Sequence, residues 1–321
     1  MKEHACHAEY TEILEVIHSR HRFAVVSHAR PDGDAIGSTL AMGLALQSLG
    51  KEVLFWNEDN VPPRFAFLRG ADKIQRTPEA IPAGVEAVIC LDTGAWKRLG
   101  DHTMTTLDGF PLLLNIDHHE TNERYAHVNH VEGGTAATGF VLYGLIKAMG
   151  VEITPAMADA LYAAVSTDTG SFQFSSTTPA VMHMAAHLIE CGVDVGDINR
   201  RLYQEQPLSG FIMQKEVLNH MVVECGGKLC HYSMPAGTKA KLGVGLDDTK
   251  DLVDIIRPLA GVKVAIIFED TEDGRIRMSL RSKDPRVSVA ELASRFGGGG
   301  HAMAAGIRMR GALEECRGKV L

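Results

Sequence analysis

The chain lacks any run approaching the roughly 18 consecutive apolar residues that a membrane-spanning helix requires. Its first twenty residues, MKEHACHAEYTEILEVIHSR, are broken by charges and hold no apolar leader core, so a cytoplasmic location and no membrane partner are expected. Positive charge is also short. Against 40 Asp and Glu there are 32 Lys and Arg, a balance of −8 that disfavours sequence-independent gripping of a long polyanion. A nucleic-acid substrate should therefore be short or held by a local patch, and long duplex nucleic acid is not expected. There is no cysteine framework: Cys6, Cys90, Cys191, Cys225, Cys230 and Cys316 are scattered and read as reduced thiols. Internal repeats are missing, and the one low-complexity stretch is GGGGHAMAAG, from Gly297 to Gly306.

What remains is the composition of a globular protein, with 45% hydrophobic and 22% charged residues in a chain of 321, long enough for two domains. Fifteen histidines, several beside aspartates, are the oddity and direct attention to metal chemistry. A leading helix is expected at about Tyr10 to Ser19, followed by a β-branched strand run at Phe23 to His28. That run breaks at Arg30-Pro31-Asp32-Gly33-Asp34, and a helical spacing follows from about Ala35 to Leu49. Further strands are expected at Lys51 to Trp56, Glu86 to Asp92 and Pro111 to Asp117, with helices at about Gly134 to Met149, Pro155 to Val165 and after Pro179. Such alternation predicts an α/β domain with a largely parallel sheet over residues 1–198. The pattern weakens over residues 199–214, read as a linker. Residues 215–321 form a smaller α/β unit with strands near Lys228 to Met234, Val262 to Phe268, Arg275 to Arg281 and Ile307, and helices at about Thr249 to Leu259 and Val287 to Phe296.

Chemistry-bearing residues cluster where the strands of the first domain end. His28-x-x-x-Asp32-x-Asp34 follows the first strand, at the edge where open α/β sheets bind ligands. Taken alone it reads equally well as a polar loop with Asp34 as a helix N-cap. Two more strand runs end in aspartate, at Leu91-Asp92-Thr93 and at Asp117-His118-His119, and a chance explanation must cover all of them. A fourth carboxylate, Asp168, stands in Thr167-Asp168-Thr169-Gly170, where a lone aspartate is more often a cap. Converging carboxylates repel one another unless cations intervene. Imidazole with carboxylate oxygen suits Mn, Mg, Fe or Zn, and no cysteine lies near these motifs. Two metals about 3.5–4 Å apart serve in-line attack on phosphorus.

In their order along the chain these four motifs resemble those of the DHH phosphoesterase superfamily. The Gly297-Gly298-Gly299-Gly300-His301 stretch resembles the signature of its DHH-associated C-terminal domain, and the length is similar to the bacterial nanoRNase and 3′-phosphoadenosine-5′-phosphate phosphatase branch. The resemblance implies a catalytic metal-binding domain and a substrate-binding domain with the active site in the interdomain cleft. It implies two divalent ions, manganese by family preference with magnesium as the alternative. One would be held by His28, Asp32 and Asp92 and the other by Asp34, Asp92, His118 and Asp168, Asp92 bridging. Four aspartates against two divalent ions is neutral, so an anionic diester can enter. Asp117 is implied as an orienting group for His118 or its neighbours, and His119 as a partner for a phosphate oxygen or leaving group. Arg257, Arg281, Gly298, Gly299, Gly300 and His301 are implied in holding the substrate's nucleotide or terminal phosphate.

One position departs from the family pattern: Phe140 stands where a glutamate is expected, read here as a packing change. Cys225 and Cys230 beside His231 have no fourth ligand in view and read as thiols, and His4, Cys6 and His7 lie in a terminus expected to fray. The implied activity is a two-metal phosphohydrolase acting on short single-stranded RNA, dinucleotides such as pGpG, or the 3′ phosphate of 3′-phosphoadenosine 5′-phosphate. A cyclic-dinucleotide phosphodiesterase and a non-catalytic nucleotide- or RNA-binding protein are the alternatives. A homodimer is neither required nor excluded.

Overall fold

The computed structural model describes residues 10–245, 252–271 and 273–321. His4, Cys6 and His7 lie outside them, as does the start of the helix expected from Thr249. Two compact units are separable, Met1–Glu205 and Gln206–Leu321.

The first unit runs α1 (Thr11–Ser19), β1 (Arg22–Ser27), α2 (Gly33–Ser48), β2 (Glu52–Asn57), β3 (Ile74–Arg76), β4 (Ala87–Leu91), α3 (Asp101–Leu107), β5 (Leu113–Asp117) and β6 (Val128–Val131). Helices α4 (Thr138–Ala148), α5 (Pro155–Asp168), α6 (Pro179–Glu190) and α7 (Val195–Asn199) follow. Its six strands form one parallel sheet in the order β3-β2-β1-β4-β5-β6. Phe23, Ala24, Val25 and Val26 of β1 are all fully buried, the signature of a parallel strand covered on both faces. One face packs under α1, α2, α4, α5 and α6; the other is closed by Trp56, Leu99, Leu107 and Leu113. Strand order reverses at β1, with β2 on one side and β4 on the other, which opens a crevice at their carboxyl ends. The strands β3 and β6 and helix α3 are additions to the sequence expectation; β3 and β6 are edge strands of only three and four residues.

Helix α2 is buried nearly all round, from Gly33 to Leu46, and its glycines permit contact with α5. A Cβ on Gly37 would stand 2.3 Å from the Ala160 carbonyl oxygen, and one on Gly33 would fall 2.3 Å from Thr167 Oγ1. The helix begins at Gly33 with Asp32 as the N-cap, its Oδ1 accepting from Ala35 N at 3.1 Å. The capping role expected of Asp34 thus falls to Asp32, because Asp34 is already inside the first turn.

The second unit contains α8 (Leu208–His220), β7 (Val222–Glu224), β8 (Leu229–Met234), α9 (Thr238–Leu242), α10 (Val253–Ile256), β9 (Val264–Asp270), β10 (Arg275–Ser282), α11 (Val289–Ser294), β11 (Gly299–His301), β12 (Ala304–Arg310) and α12 (Leu313–Val320). Its mixed sheet has the order β11-β12-β10-β9-β8-β7, with only β8 and β9 parallel. One face packs on α8 and α10 through Met213, Val217, Val253 and Ile256, and the other on α11 and α12 through Val289, Ala293 and Cys316. The stretch expected as a linker, 199–214, is largely helical: Arg200–Gln204 winds as a π turn and α8 opens at Leu208. Its periodicity is weak because α8 buries only Met213 and Val217 while Leu208, Phe211 and Leu218 are exposed. The expected glycine loop is instead the edge strand β11, paired with β12 as Gly299↔Gly306 and His301↔Ala304. Gly300 sits at φ +144°, where a Cβ would meet the Ala304 carbonyl at 2.4 Å, so the hairpin demands glycine there.

The α2–α5 contact gives a direct test. Gly37→Ala overpacks backbone against side chain and should cost about 1–3 kcal/mol, seen as a lower urea midpoint. An unchanged midpoint would mean that the two helices separate freely.

Candidate functional site

Three strand ends converge. Beyond β1 lie His28, Asp32 and Asp34, beyond β4 lies Asp92, and β5 ends in Asp117 followed by His118 and His119. Asp92 adopts φ +55°, a left-handed conformation that an aspartate tolerates at a cost of order 1–3 kcal/mol. The strain turns its carboxylate to the centre of the cluster. His28 Nε2 lies 3.3 Å from Asp92 Oδ2 and 3.6 Å from Asp32 Oδ2. On the other side, His118 Nε2 lies 3.5 Å from Asp92 Oδ1, 3.8 Å from Asp34 Oδ2 and 3.3 Å from Asp168 Oδ2. Asp168 arrives from the last turn of α5.

These separations decide what the cluster suits. They are long for hydrogen bonds, yet ligand atoms placed roughly 2.0–2.2 Å from one cation stand about 3.0–3.6 Å apart from each other. His28, Asp32 and Asp92 form one group of donor atoms close enough to share an ion, and Asp34, Asp92 and His118 form a second. Asp92 belongs to both. Each imidazole is oriented through its other nitrogen: His28 Nδ1 lies 2.9 Å from its neighbour Ala29 O, and His118 Nδ1 donates to Thr135 O at 3.0 Å. That leaves the neutral ring's Nε2 lone pair facing the carboxylates, the arrangement of a metal-ligating histidine. The residues therefore fit divalent cations.

Proton affinities report the same concentration of negative charge. Burial and Arg98 favour a neutral His28, but the Asp32 and Asp92 carboxylates overcome them and raise it to about 10. Burial also acts on Asp32, and the His28 imidazolium reverses it, holding the carboxyl well below the usual range. Burial and the Asp92 charge push Asp34 up to about 7, against the pull of His118. Asp168 is raised by burial and by Asp34, Asp32 and Asp92. His118 is raised by Asp92 and Asp34 despite its burial. A metal-free cluster must hold extra protons, and cations would take their place.

Several groups that matter here were not singled out by sequence reasoning. Helix α4 begins after Ala137, which has no side chain to cap it; Asp34 does so from across the fold, accepting from Thr138 N at 2.6 Å and Gly139 N at 2.9 Å. Ser38 Oγ also donates to Asp34, and Thr138 Oγ1 donates to Asp92 Oδ1 at 3.1 Å. Asp117 turns to His119, with Oδ1 2.8 Å from Nδ1, whereas His118 is oriented by Thr135 O. Asn122 Nδ2 donates to Asp117 Oδ2 at 2.6 Å and to Asn115 Oδ1 at 2.8 Å, and Asn115 in turn donates to the carbonyls of Cys90 and Thr93. A buried asparagine within the apolar run Leu112 to Ile116 was the legible signal. Phe140 packs at the margin of the main core.

The residues implied in substrate holding lie in the second unit. Arg257 Nε is 2.9 Å from Asp254 Oδ1 and Arg281 Nη2 is 3.5 Å from Asp254 Oδ2, so one carboxylate gathers both guanidinia. Gly298 precedes β11, while Gly299, Gly300 and His301 form it.

Comparison with known proteins places this geometry. The model of the DHH family, N-terminal domain, matches residues 22–165, and that of the DHHA1 domain matches residues 226–320. The chain is 36% identical over 288 residues to the bifunctional oligoribonuclease and PAP phosphatase NrnA of Thermus thermophilus, covering 89% of this chain and 84% of that protein. It is 26% identical over 303 residues to the protein of the same name from Bacillus subtilis, covering 92% of each. The crystal structure of an exopolyphosphatase-related protein from Bacteroides fragilis superposes with a TM-score of 0.86 at 26% identity, over 98% of this chain and 94% of that one.

The raised Asp34 predicts a pH trend. A carboxyl whose folded pKa exceeds its ordinary value stabilises the folded chain at low pH and loses that contribution as pH rises through the folded value. With Asp34 at about 7, the chelator-treated chain should lose stability between pH 5 and 8, by up to about 1.4 kcal/mol per pH unit where the slope is steepest. Saturating divalent cation should flatten that slope, because the ion replaces the proton. Thermal melts showing equal slopes with and without cation would contradict the assignment.

Proposed function

Because this chain belongs to the DHH family and carries a DHHA1 domain, we propose that it is a metal-dependent phosphohydrolase that degrades short oligoribonucleotides and removes the 3′ phosphate of 3′-phosphoadenosine 5′-phosphate. The observation that carries the proposal is the convergence of His28, Asp32, Asp34, Asp92, His118 and Asp168 at the carboxyl ends of β1, β4 and β5 and the end of α5. Relatives named for these two activities support the substrate class. Here His28, Asp32 and Asp92 would hold one cation and Asp34, Asp92, His118 and Asp168 the other, with manganese as the working metal. Bound there, two such cations supply Lewis acidity and cancel the carboxylate charge that would otherwise repel a phosphodiester.

The chain's own groups do the positioning. Asp34 is held by the N-terminus of α4 and by Ser38, and Asp92 by Thr138 Oγ1, so the two carboxylates nearest His118 keep fixed orientations. Asp117, gripped by Asn122, accepts from His119 Nδ1 and so presents the opposite edge of that ring, 19% exposed as a side chain, to a phosphate oxygen or leaving group. In the second unit Arg257 and Arg281 are proposed phosphate partners and Gly298, Gly299, Gly300 and His301 the nucleotide-holding edge.

The test is product analysis with metal-stripped protein, re-supplied with Mn or Mg and offered separately pGpG, long mixed RNA, a cyclic dinucleotide and 3′-phosphoadenosine 5′-phosphate. Cleavage of the dinucleotide and the bisphosphate while long RNA survives is the expected result; nucleotide binding without turnover under any metal would make the protein a binder instead. Asp92→Ala should lower kcat by more than about 100-fold, since both donor groups lose a member. Asn122→Ala frees Asp117 and should lower kcat roughly 10- to 100-fold with KM little changed. A rise in KM alone would place Asn122 in substrate binding.

A further inference from the structure

The second sheet is clothed unevenly. On β10, Ile276, Met278 and Leu280 point into the core beneath α11 and α12, together with Ala305 and Ile307 of β12. The alternate residues Arg275, Arg277, Ser279 and Arg281 point the other way. The antiparallel register sets Arg310 opposite Arg275, Arg308 opposite Arg277, Gly306 opposite Ser279 and Ala304 opposite Arg281. This is the face that β8 and β9 bury under α8 and α10 through Tyr232, Ala265 and Ile267. The helical cover reaches Arg281 through Asp254 and leaves Arg275, Gly306, Arg308 and Arg310 exposed.

Like charges directly opposite each other on neighbouring strands are destabilising. Here two such pairs stand in succession, Arg277↔Arg308 and Arg275↔Arg310. Arg277 is offset by the buried Glu269 and Arg275 lies 3.9 Å from Asp273. Arg308 and Arg310 make no ion pair among the described residues. The row carries no large apolar side chain, its small members being Ser279, Gly306 and Ala304. From Arg281 to Arg275 it is about 20 Å long, at 3.4 Å per residue. A stacked strand carries one phosphate per roughly 3.4 Å, so the row can meet at most about six.

We propose that this arginine row is a track for the backbone phosphates of single-stranded RNA, engaging nucleotides beyond the two nearest the scissile bond. It rests on the reading above only in placing the substrate's terminal phosphate near Arg281. A chain with net charge −8 thereby acquires a local basic patch, and the track sets a preference for oligonucleotides a few residues longer than a dinucleotide. Neither a dinucleotide nor 3′-phosphoadenosine 5′-phosphate is long enough to use it.

The test measures binding by fluorescence anisotropy to chelator-treated protein, so that nothing is cleaved, using labelled diuridylate and pentauridylate. Native protein should bind the pentamer more tightly. With two additional phosphate contacts, each contributing about −0.7 to the salt slope, that advantage should shrink roughly sevenfold between 50 and 200 mM salt. In Arg308→Ser/Arg310→Ser the advantage and its salt dependence should vanish while diuridylate binding stays unchanged, and Arg308→Gln/Arg310→Gln should behave alike if the serine variant folds poorly. A pentamer advantage that survives the substitutions, or is missing in the native protein, overturns the track. Inorganic tripolyphosphate competing as well as pentauridylate would overturn the assignment to RNA. Cleavage of pGpG by a Mn-reloaded portion of the native protein reports separately on the proposed activity, which stands or falls by that result alone.

Discussion

Asp92 is the constraint on which the rest of the first unit turns. Its two oxygens serve two imidazoles, Oδ2 facing His28 and Oδ1 facing His118, while Asp32, Asp34 and Asp168 close in from either side. So many carboxylates near one point are unstable in a protein without positive charge beside them. The cost shows in raised proton affinities for Asp34 and Asp168 and in the left-handed backbone of Asp92 itself. A fold maintains such strain only where the surroundings over-determine it.

That over-determination comes from packing. Strands β1, β4 and β5 are buried on every residue from Phe23 to Ser27, Ala87 to Leu91 and Leu113 to Asp117, so their ends are fixed in register. The glycine-mediated contact of α2 with α5 draws Asp34 and Asp168, 134 positions apart, to the same imidazole. Helix α4 has no cap of its own, and Asp34 supplies one while its carboxylate edge remains near His118. Stability and chemistry therefore share the same side chains, and a change at Asp34 or Thr138 bears on both.

The second unit follows a different logic. Its sheet is covered completely on one face and only partly on the other, and the bare portion carries arginine where a core would carry valine or leucine. Hydrophobic burial accounts for the covered face. Anion recognition accounts for the open one, because no folding advantage arises from setting arginines in opposed pairs.

Much of the first unit was legible in the sequence because its strands are apolar runs that stop abruptly at Asp or His, and chain order alone lines up those stops at one edge of a parallel sheet. The metal-ligand residue types, the α/β class and the helices after β1 and at Pro155 follow from local pattern. The edge strands β3 and β6 carry too few residues for a period to register, and α8 hid because its buried face is narrow. Other features depend on contacts between distant segments and have no local signature. Asp34 capping α4, Asp117 choosing His119, Asn122 bridging Asn115 and Asp117, and the pairing of Arg308 with Arg277 are set by register and packing. The sequence by itself determined which donor atoms were available and at which strand ends. Only the tertiary structure decided which carboxylate faces which imidazole, because a few ångströms of long-range packing separate a metal ligand from a helix cap.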